Sequence, residues 1–521
     1  MQKSPATLSL RLRSGLPSPQ APSVFNRSQW LPNGVSGAKV DLLSGLVVAL
    51  ALIPEAISFS IIAGVDPKVG LYASFSIAIL ISFTGGRPGM ISAATGAMAL
   101  VIVDLVADHG IGHLFAATIL AGVLQVVLGW LGVGELMRFV PRTVMVGFFN
   151  ALAILIFLAQ VPHILLRQDG VSTGPLMTNL AFIALGLGII YGLPRITKAV
   201  PSPLVAIVVL AGITIGFGSG LPTVGDMGEL PDALPWVALP DVPFTLETFQ
   251  IILPFAVTLA IVGLLESLLT AQLLDDMTET NSDKNLESRG QGFANIATGF
   301  FGGMAGCAMI GQSMINYRSG GRSRLSTLAS GVFLLILILA LGDLVARIPL
   351  AALVAVMIMV SVGTFDWASI KPDMLASLPK TETAVMVATV GIVVWTHNLA
   401  YGVGAGVVLS AVFFVRHISN MVNVTAVDDP ESGNRLFAVS GELFFASTTD
   451  LADAFDYGAV KGARVEIDLS NARVWDSSSV GALDSVVAKF AERGIEAQVV
   501  GLNPHAENLH RRTTGKVSVG H

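Results

Sequence analysis

The chain has 521 residues, 53% hydrophobic and 13% charged, with a formal net charge of −6 and a mean hydropathy of +0.73. A soluble domain carries about 25% charged residues, so there is too little polar side chain here to cover a soluble globule of this size. One cysteine, Cys307, excludes a disulfide scaffold, and an acidic balance without a basic stripe argues against nucleic acid.

Residues 1–39 hold five prolines and five bases (Lys3, Arg11, Arg13, Arg27, Lys39), and the first acid is Asp41. They read as a basic amino-terminal segment on the cytoplasmic side. A cleaved signal is not expected, because the first apolar run is of spanning length. From residue 42 to about 415 there are fourteen apolar runs: 42–62, 69–83, 90–103, 114–134, 143–162, 172–193, 199–220, 249–274, 290–303, 307–317, 325–342, 348–365, 383–396 and 398–415. Several fall short of the ~20 residues of a full span. Runs 90–103 and 307–317 are the best candidates for broken helices, which in transporters surround a binding site.

The bases test this count. With the amino terminus inside, inner loops hold Arg87, Arg138, Arg142, Arg195, Lys198, Lys284, Arg289, Arg318, Arg322, Arg324, Lys371 and Lys380, against Lys68, Arg167 and Arg347 outside. This is a positive-inside bias, and an even number of spans returns the carboxyl terminus to the cytoplasm. The loop 221–248 has five acids and no base, as suits an outer loop.

After Arg416 the composition changes, and residues 433–521 read as a small α/β domain. Residues 435–447 alternate like paired strands, 463–476 hold a buried-strand core, 479–494 have amphipathic helix spacing and 496–502 form another strand.

Fourteen spans divide into seven plus seven, and an odd-numbered repeat must be inverted. "ALIPEAIS" (51–58) and "VGLLESLL" (262–269) each place a glutamate in the first span of a half, and "GGRPG" (85–89) and "GGMAG" (302–306) each precede its third span. The pattern favours an inverted-repeat transporter.

Glu55 and Glu266 stand out chemically. An ionisable side chain in mid-span costs about 2.5–3.5 kcal/mol on insertion scales, and either carboxyl is a candidate to take and release a proton; a helix-end residue beside Pro54, or a packing bond to Ser267 or Thr270, is the blander reading. Ser92, Ala93, Ala94, Thr95, Gly96 and Ala97 open an apolar helix. A helix starting inside the membrane aims unpaired N–H groups and partial positive charge at what lies ahead, so it can hold an anion without lysine or arginine. Residues 306–321 can do the same from the other half, although close packing of small residues fits both stretches equally well. Cys307 reads as a small apolar filler. His109, His113, His163 and His397 lie near outer ends, facing water. No metal-ligand cluster, cofactor motif or catalytic triad is present, so an enzyme is not expected.

"IPEAISFSIIAGVDPKVGLYASF" (53–75), "NYRSGGRSRLS" (316–326) and "IDLSNARVWDSSSVGAL" (467–483) resemble, in this order, the motifs of the SulP (sulfate permease) family, bacterial relatives of the solute-carrier anion exchangers, with a carboxyl-terminal STAS domain. The resemblance implies a polytopic α-helical membrane protein with fourteen transmembrane segments as a 7+7 inverted repeat. The transport part, 40–420, would comprise a core (40–134 and 249–342) and a gate (135–248 and 343–420), followed by a cytoplasmic STAS domain over 433–521. By match of motif the anion pocket would use Glu55, Phe59, Thr95, Gly96, Ala97, Ala308, Met309 and Ile310, with Glu266 and Thr270 beside it.

The chain departs from the family in ways that matter. Sodium-coupled bicarbonate members have an aspartate where Glu266 stands and a hydroxyl residue near Ile310, which cannot ligate sodium; this favours protons. Vertebrate members commonly place an arginine where Gln312 aligns, so the pocket here leans on helix ends. Ser477 matches the serine phosphorylated in bacterial anti-sigma-factor antagonists, or it caps the helix that follows.

The expected function is proton-coupled symport of a small anion (dicarboxylate, sulfate or bicarbonate) by an elevator-type homodimer in a bacterial cytoplasmic membrane, both termini inside. A sodium-coupled bicarbonate transporter, an exchanger or channel of the same fold, and a membrane sensor with a STAS output are the alternatives.

Overall fold

The computed structural model describes residues 27–31, 34–135, 140–168, 171–172, 175–197, 201–218, 220–428, 434–458, 460 and 464–513. Most of the basic segment 1–39, together with Arg138 and Lys198 of the basic loops, lies outside the described residues. The chain divides into two compact units, Met1–Pro379 with Met386–Ala405, and Lys380–Val385 with Gly406–His521.

In chain order the elements are α1 (Arg27–Trp30), α2 (Gly34–Ile62), α3 (Pro67–Thr84), β1 (Ser92–Ala94), α4 (Gly96–His109), α5 (Ile111–Trp130), α6 (Arg142–Leu165), β2 (Arg167–Gln168), β3 (Val171–Ser172), α7 (Leu176–Gly192), α8 (Ser202–Phe217), α9 (Leu246–Thr278), α10 (Lys284–Phe300), β4 (Gly306–Ala308), α11 (Ile310–Arg318), α12 (Arg324–Ala346), α13 (Leu350–Thr364), α14 (Pro372–Ser377), α15 (Lys380–Thr396) and α16 (Leu399–Ser419). Each apolar run coincides with one of these helices. Among the described residues, eight helices are long and apolar enough to cross a membrane by length and composition. The third and tenth runs are broken: each is a three-residue strand followed by a short helix, α4 of 14 residues and α11 of 9.

Helix packing sorts these elements into two groups. α10 lies against α5 and α3, α12 against α2 and α3, and α9 against α5 and α4; separately, α13 packs on α6 and α7, and α7 on α8. Small residues permit the close approach that replaces hydrophobic driving force in lipid. A Cβ on Gly122 of α5 would sit 2.6 Å from the Gly292 carbonyl of α10.

The segment after α8 links the two groups at one end: Lys68 N–H, at the start of α3, donates to the Glu229 carbonyl (3.1 Å), and Leu350 N–H, at the start of α13, to that of Pro222 (2.9 Å). At the opposite end, buried charge ties the helix ends together. Arg324, 2% exposed, donates to the carbonyls of Ser82 and Gly85. Glu287 of α10 accepts from the amides of Gly86 and Arg87, and Asp275 of α9 pairs with Arg87 (3.3 Å) and Lys284 (2.5 Å). The GGRPG turn is therefore a structural node, built from backbone donors aimed at one carboxylate.

The second unit carries β5 (Asn423–Asp428), β6 (Arg435–Leu443), α17 (Thr448–Asp453), β7 (Arg464–Val474), α18 (Ser477–Ala491), β8 (Glu496–Val500) and α19 (Pro504–Thr513). Its sheet has the order β5-β6-β7-β8; β5–β6 is antiparallel, and β6–β7 and β7–β8 are parallel. Phe437, Ile467, Val486 and Phe490 are in its core. The stretch 435–447 contains one strand, not a pair, and its antiparallel partner is β5, upstream of residue 433. Alternation alone does not distinguish one nine-residue strand from two short ones.

Candidate functional site

α4 begins where Thr95 leaves helical geometry (φ −128°, ψ 157°). Its hydroxyl accepts the Met98 N–H at 3.4 Å, which caps the first turn. α11 begins after Met309, also extended (φ −104°, ψ 122°), with no side-chain cap. The strands before them pair antiparallel: Ser92 opposite Ala308, Ala93 opposite Cys307, Ala94 opposite Gly306. Met309 N–H continues the ladder to the Ile91 carbonyl at 2.9 Å. Backbone that is not helical survives at membrane depth only where its polar groups are satisfied by protein, and this ladder satisfies them. It also sends α4 and α11 toward opposite ends of the fold, with the first-turn N–H groups of both at the junction.

The side chains follow from these elements. α2 brings Glu55 (7% exposed) and Phe59 (2%). Glu55 faces Gln312 of α11. The Phe59 ring and Ile156 of α6 lie over Gly96, where a Cβ would come within 2.9 and 3.1 Å of them. Ala97 and Ala308 are buried, as is Met309, and Ile310 is half-buried at the first position of α11. The expected pocket residues thus lie about one junction, buried or half-buried. A cavity of about 1100 Å³ lies elsewhere, at the end of the fold lined by Arg87, Thr278, Ser282, Tyr317 and Arg322.

α9 brings Glu266, whose Oε2 accepts from the Cys307 thiol at 2.9 Å. The Cys307 Sγ in turn lies 3.2 Å from Thr95 Oγ1. Cys307 is therefore no apolar filler; it bridges two of the candidate residues. Thr270 is buried, but its hydroxyl donates to the Glu266 main-chain carbonyl at 2.8 Å rather than to the carboxyl. Ser267 takes the Ala308 amide at 3.0 Å.

Sequence reasoning also missed the scaffold behind β4. Asn295 and Gln291 of α10 both donate to the Gly306 carbonyl, at 3.1 and 2.9 Å. The signal was available: Gln291 and Asn295 are amides four residues apart on one face of a helix. His113 and His163 are half-buried, and His109 and His397 are exposed. Ser477 does not cap α18; Asp476 does, accepting from Ser479 N–H at 3.0 Å and Ser479 Oγ at 2.8 Å. The carboxylate one residue earlier reaches the N3 amide first, which leaves Ser477 exposed at the first helical position. Among the described residues no group of three or more His, Cys, Asp or Glu is placed to hold a metal ion.

Residues 39–389 match the Sulfate permease family and residues 425–515 the STAS domain. The chain belongs to the sulfate permease family. It is 58% identical over 486 residues to the "Putative sulfate transporter YbaR" of Bacillus subtilis (strain 168), covering 93% of this chain and 98% of that one. The transmembrane domain of a cyanobacterial bicarbonate transporter, BicA, superimposes with a TM-score of 0.62 at 28% identity, covering 71% of this chain and 97% of that one. The murine Solute Carrier 26 family member A9 anion transporter, in its inward-facing state, superimposes with a TM-score of 0.78 at 18% identity, covering 91% and 87%; that likeness shows the fold. This transporter is a polytopic membrane protein with a carboxyl-terminal STAS domain, and its relatives are transporters, not enzymes.

Proposed function

We propose that this transporter carries a small oxyanion with a proton, binding the anion at the β1–β4 junction between the first turns of α4 and α11. The observation that carries the reading is the pair of buried carboxyls, Glu55 and Glu266, beside two helix starts that have no lysine or arginine bonded to them. Helix starts attract an anion, while an ionised carboxylate a few ångströms away repels it. Protonating the carboxyl removes that repulsion, so proton and anion favour each other's binding. This is the linkage symport requires. The relatives' names point to sulfate and bicarbonate as first candidates, with dicarboxylates third.

In this reading α2–α5 with α9–α12 form the moving core, and the remaining spans form the gate, as the two packing groups suggest. The reading also places the protein in a bacterial cytoplasmic membrane as a homodimer with both termini inside. Uptake of labelled sulfate and bicarbonate into proteoliposomes, at several external pH values with and without sodium, tests it. Accumulation that follows the proton gradient supports it. Accumulation indifferent to that gradient but abolished without sodium overturns it in favour of sodium coupling, and channel-like current without counterflow overturns carrier transport altogether.

A further inference from the structure

Cys307 stands between the two groups that proton coupling must connect. Its thiol reaches Glu266 Oε2 at 2.9 Å and Thr95 Oγ1 at 3.2 Å, and Thr95 is the residue that caps α4. All three are buried, with Cys307 at 0% exposure. A second observation marks the spot. Gln125 Nε2 belongs to a fully buried side chain and has no hydrogen-bond partner. A Cβ on Gly263, one turn before Glu266, would meet that nitrogen at 2.8 Å and Cys307 Cβ at 3.7 Å. Met98 Cε closes the same spot at 3.0 Å, so the unpaired Gln125 donor is packed beside the strand that carries Cys307, and a buried donor without a partner calls for an explanation.

We propose that Cys307 is a positioning residue that passes the protonation state of Glu266 to the anion-facing end of α4; this rests on the proton-coupled reading above. With Glu266 ionised, the thiol donates to the carboxylate and the Thr95 hydroxyl donates to sulfur. When a proton from the aqueous side forms an O–H bond on Glu266, that group donates to Sγ. The thiol hydrogen then turns to Thr95 Oγ1, and the Thr95 hydroxyl hydrogen turns outward, toward the space ahead of Gly96. No other covalent bond forms or breaks; the thiol and hydroxyl only rotate. Thr95 still accepts from Met98 N–H through its second lone pair. The anion site gains one donor when, and only when, Glu266 is neutral.

The chain is well insulated for this role. Cys307 donates to the Glu266 carboxylate. On the elements packed against α9, Asp104 and Asp108 of α4 are exposed at its far end. Glu287 of α10 is held by the Gly86 and Arg87 amides, and Asp275, further along α9, by Arg87 and Lys284. Glu55 of α2 faces Gln312 of α11.

Because Cys307 is the one cysteine of the sequence, its S–H stretching band is readable by infrared spectroscopy in the full-length protein reconstituted in liposomes. The band is expected to move as pH is titrated through Glu266 ionisation and to stay fixed in Glu266→Gln; Cys307→Ala assigns it by removing it. In uptake, Cys307→Ala is expected to lower gradient-driven accumulation about tenfold and flatten its pH profile, while Cys307→Ser, which keeps a donor and an acceptor, retains the profile. An S–H band indifferent to pH, or a Cys307→Ala protein with the wild-type pH profile, overturns the relay. Wild-type uptake that ignores the proton gradient removes the symport reading instead, and the infrared titration still decides whether the thiol follows Glu266.

Discussion

Asn295 closes both backbone groups of Gly306: its Oδ1 accepts the Gly306 N–H at 3.0 Å, and its Nδ2 donates to the Gly306 carbonyl at 3.1 Å. One side chain of α10 therefore fixes the strand that carries Cys307 and launches α11. The same amide nitrogen also reaches Gln125 Oε1 at 2.8 Å. Asn295→Leu would strand the Gly306 N–H and the Gln125 oxygen, at about 1–3 kcal/mol for each buried group left unpaired. A clear fall in Tm of the detergent-purified protein is expected, with transport lost in parallel. An unchanged Tm would mean that β4 is held by its ladder with β1 alone.

Gly96 has little room to spare at the start of α4. Gly96→Ala places a methyl against the Phe59 ring and the Ile156 tip, at 2.9 and 3.1 Å. Overpacking of this kind costs roughly 1–3 kcal/mol, which as lost substrate affinity is about five- to 150-fold. Uptake kinetics are expected to show a raised KM, partly relieved by adding Ile156→Val, which removes the crowding Cδ1. A KM equal to wild type in Gly96→Ala would move the substrate away from the start of α4.

The two buried carboxyls should separate by role. Glu266→Gln is a neutral amide of nearly the same shape, so the protein is expected to fold and to exchange labelled substrate for unlabelled while losing accumulation against a gradient. Glu55→Gln, beside Gln312, is expected to change substrate affinity more than pH dependence, because its partner sits on the first turn of α11. Gradient-driven accumulation by the Glu266→Gln protein would remove Glu266 as the coupling group.

In the STAS domain the cap of α18 gives a clean contrast. The Asp476 carboxylate also accepts the Phe445 N–H at 2.7 Å, which ties the end of β6 to the helix start. Asp476→Ala is expected to destabilise the domain by about 0.5–2 kcal/mol, read as a lower midpoint in thermal unfolding followed by circular dichroism. Ser477→Ala, exposed and outside the cap, is expected to leave the midpoint where it is. The reverse order would restore Ser477 as the capping residue.

Much of this protein is legible from one sequence because lipid is an unforgiving solvent. A bilayer demands long apolar runs, so fourteen of them mark the helices, and it penalises charge, so Glu55 and Glu266 announce themselves. The glycine-rich breaks at 85–89 and 302–306 locate the two short helices, because only an interrupted run leaves helix starts inside the membrane. What periodicity cannot carry is the identity of partners 40 or 200 residues apart. Whether the Glu266 carboxyl meets Ser267, Thr270 or Cys307 depends on the antiparallel register of β1 and β4. That register is set by the amide side chains of α10 and by the hydroxyl of Ser267, none of which is distinctive in composition. A thiol looks like a small apolar side chain until the fold places a carboxylate at one side of it and a hydroxyl at the other. Hydrophobic patterning therefore decided where the chain crosses lipid, while long-range hydrogen bonding, available only after the two halves meet, decided which buried groups pair with one another.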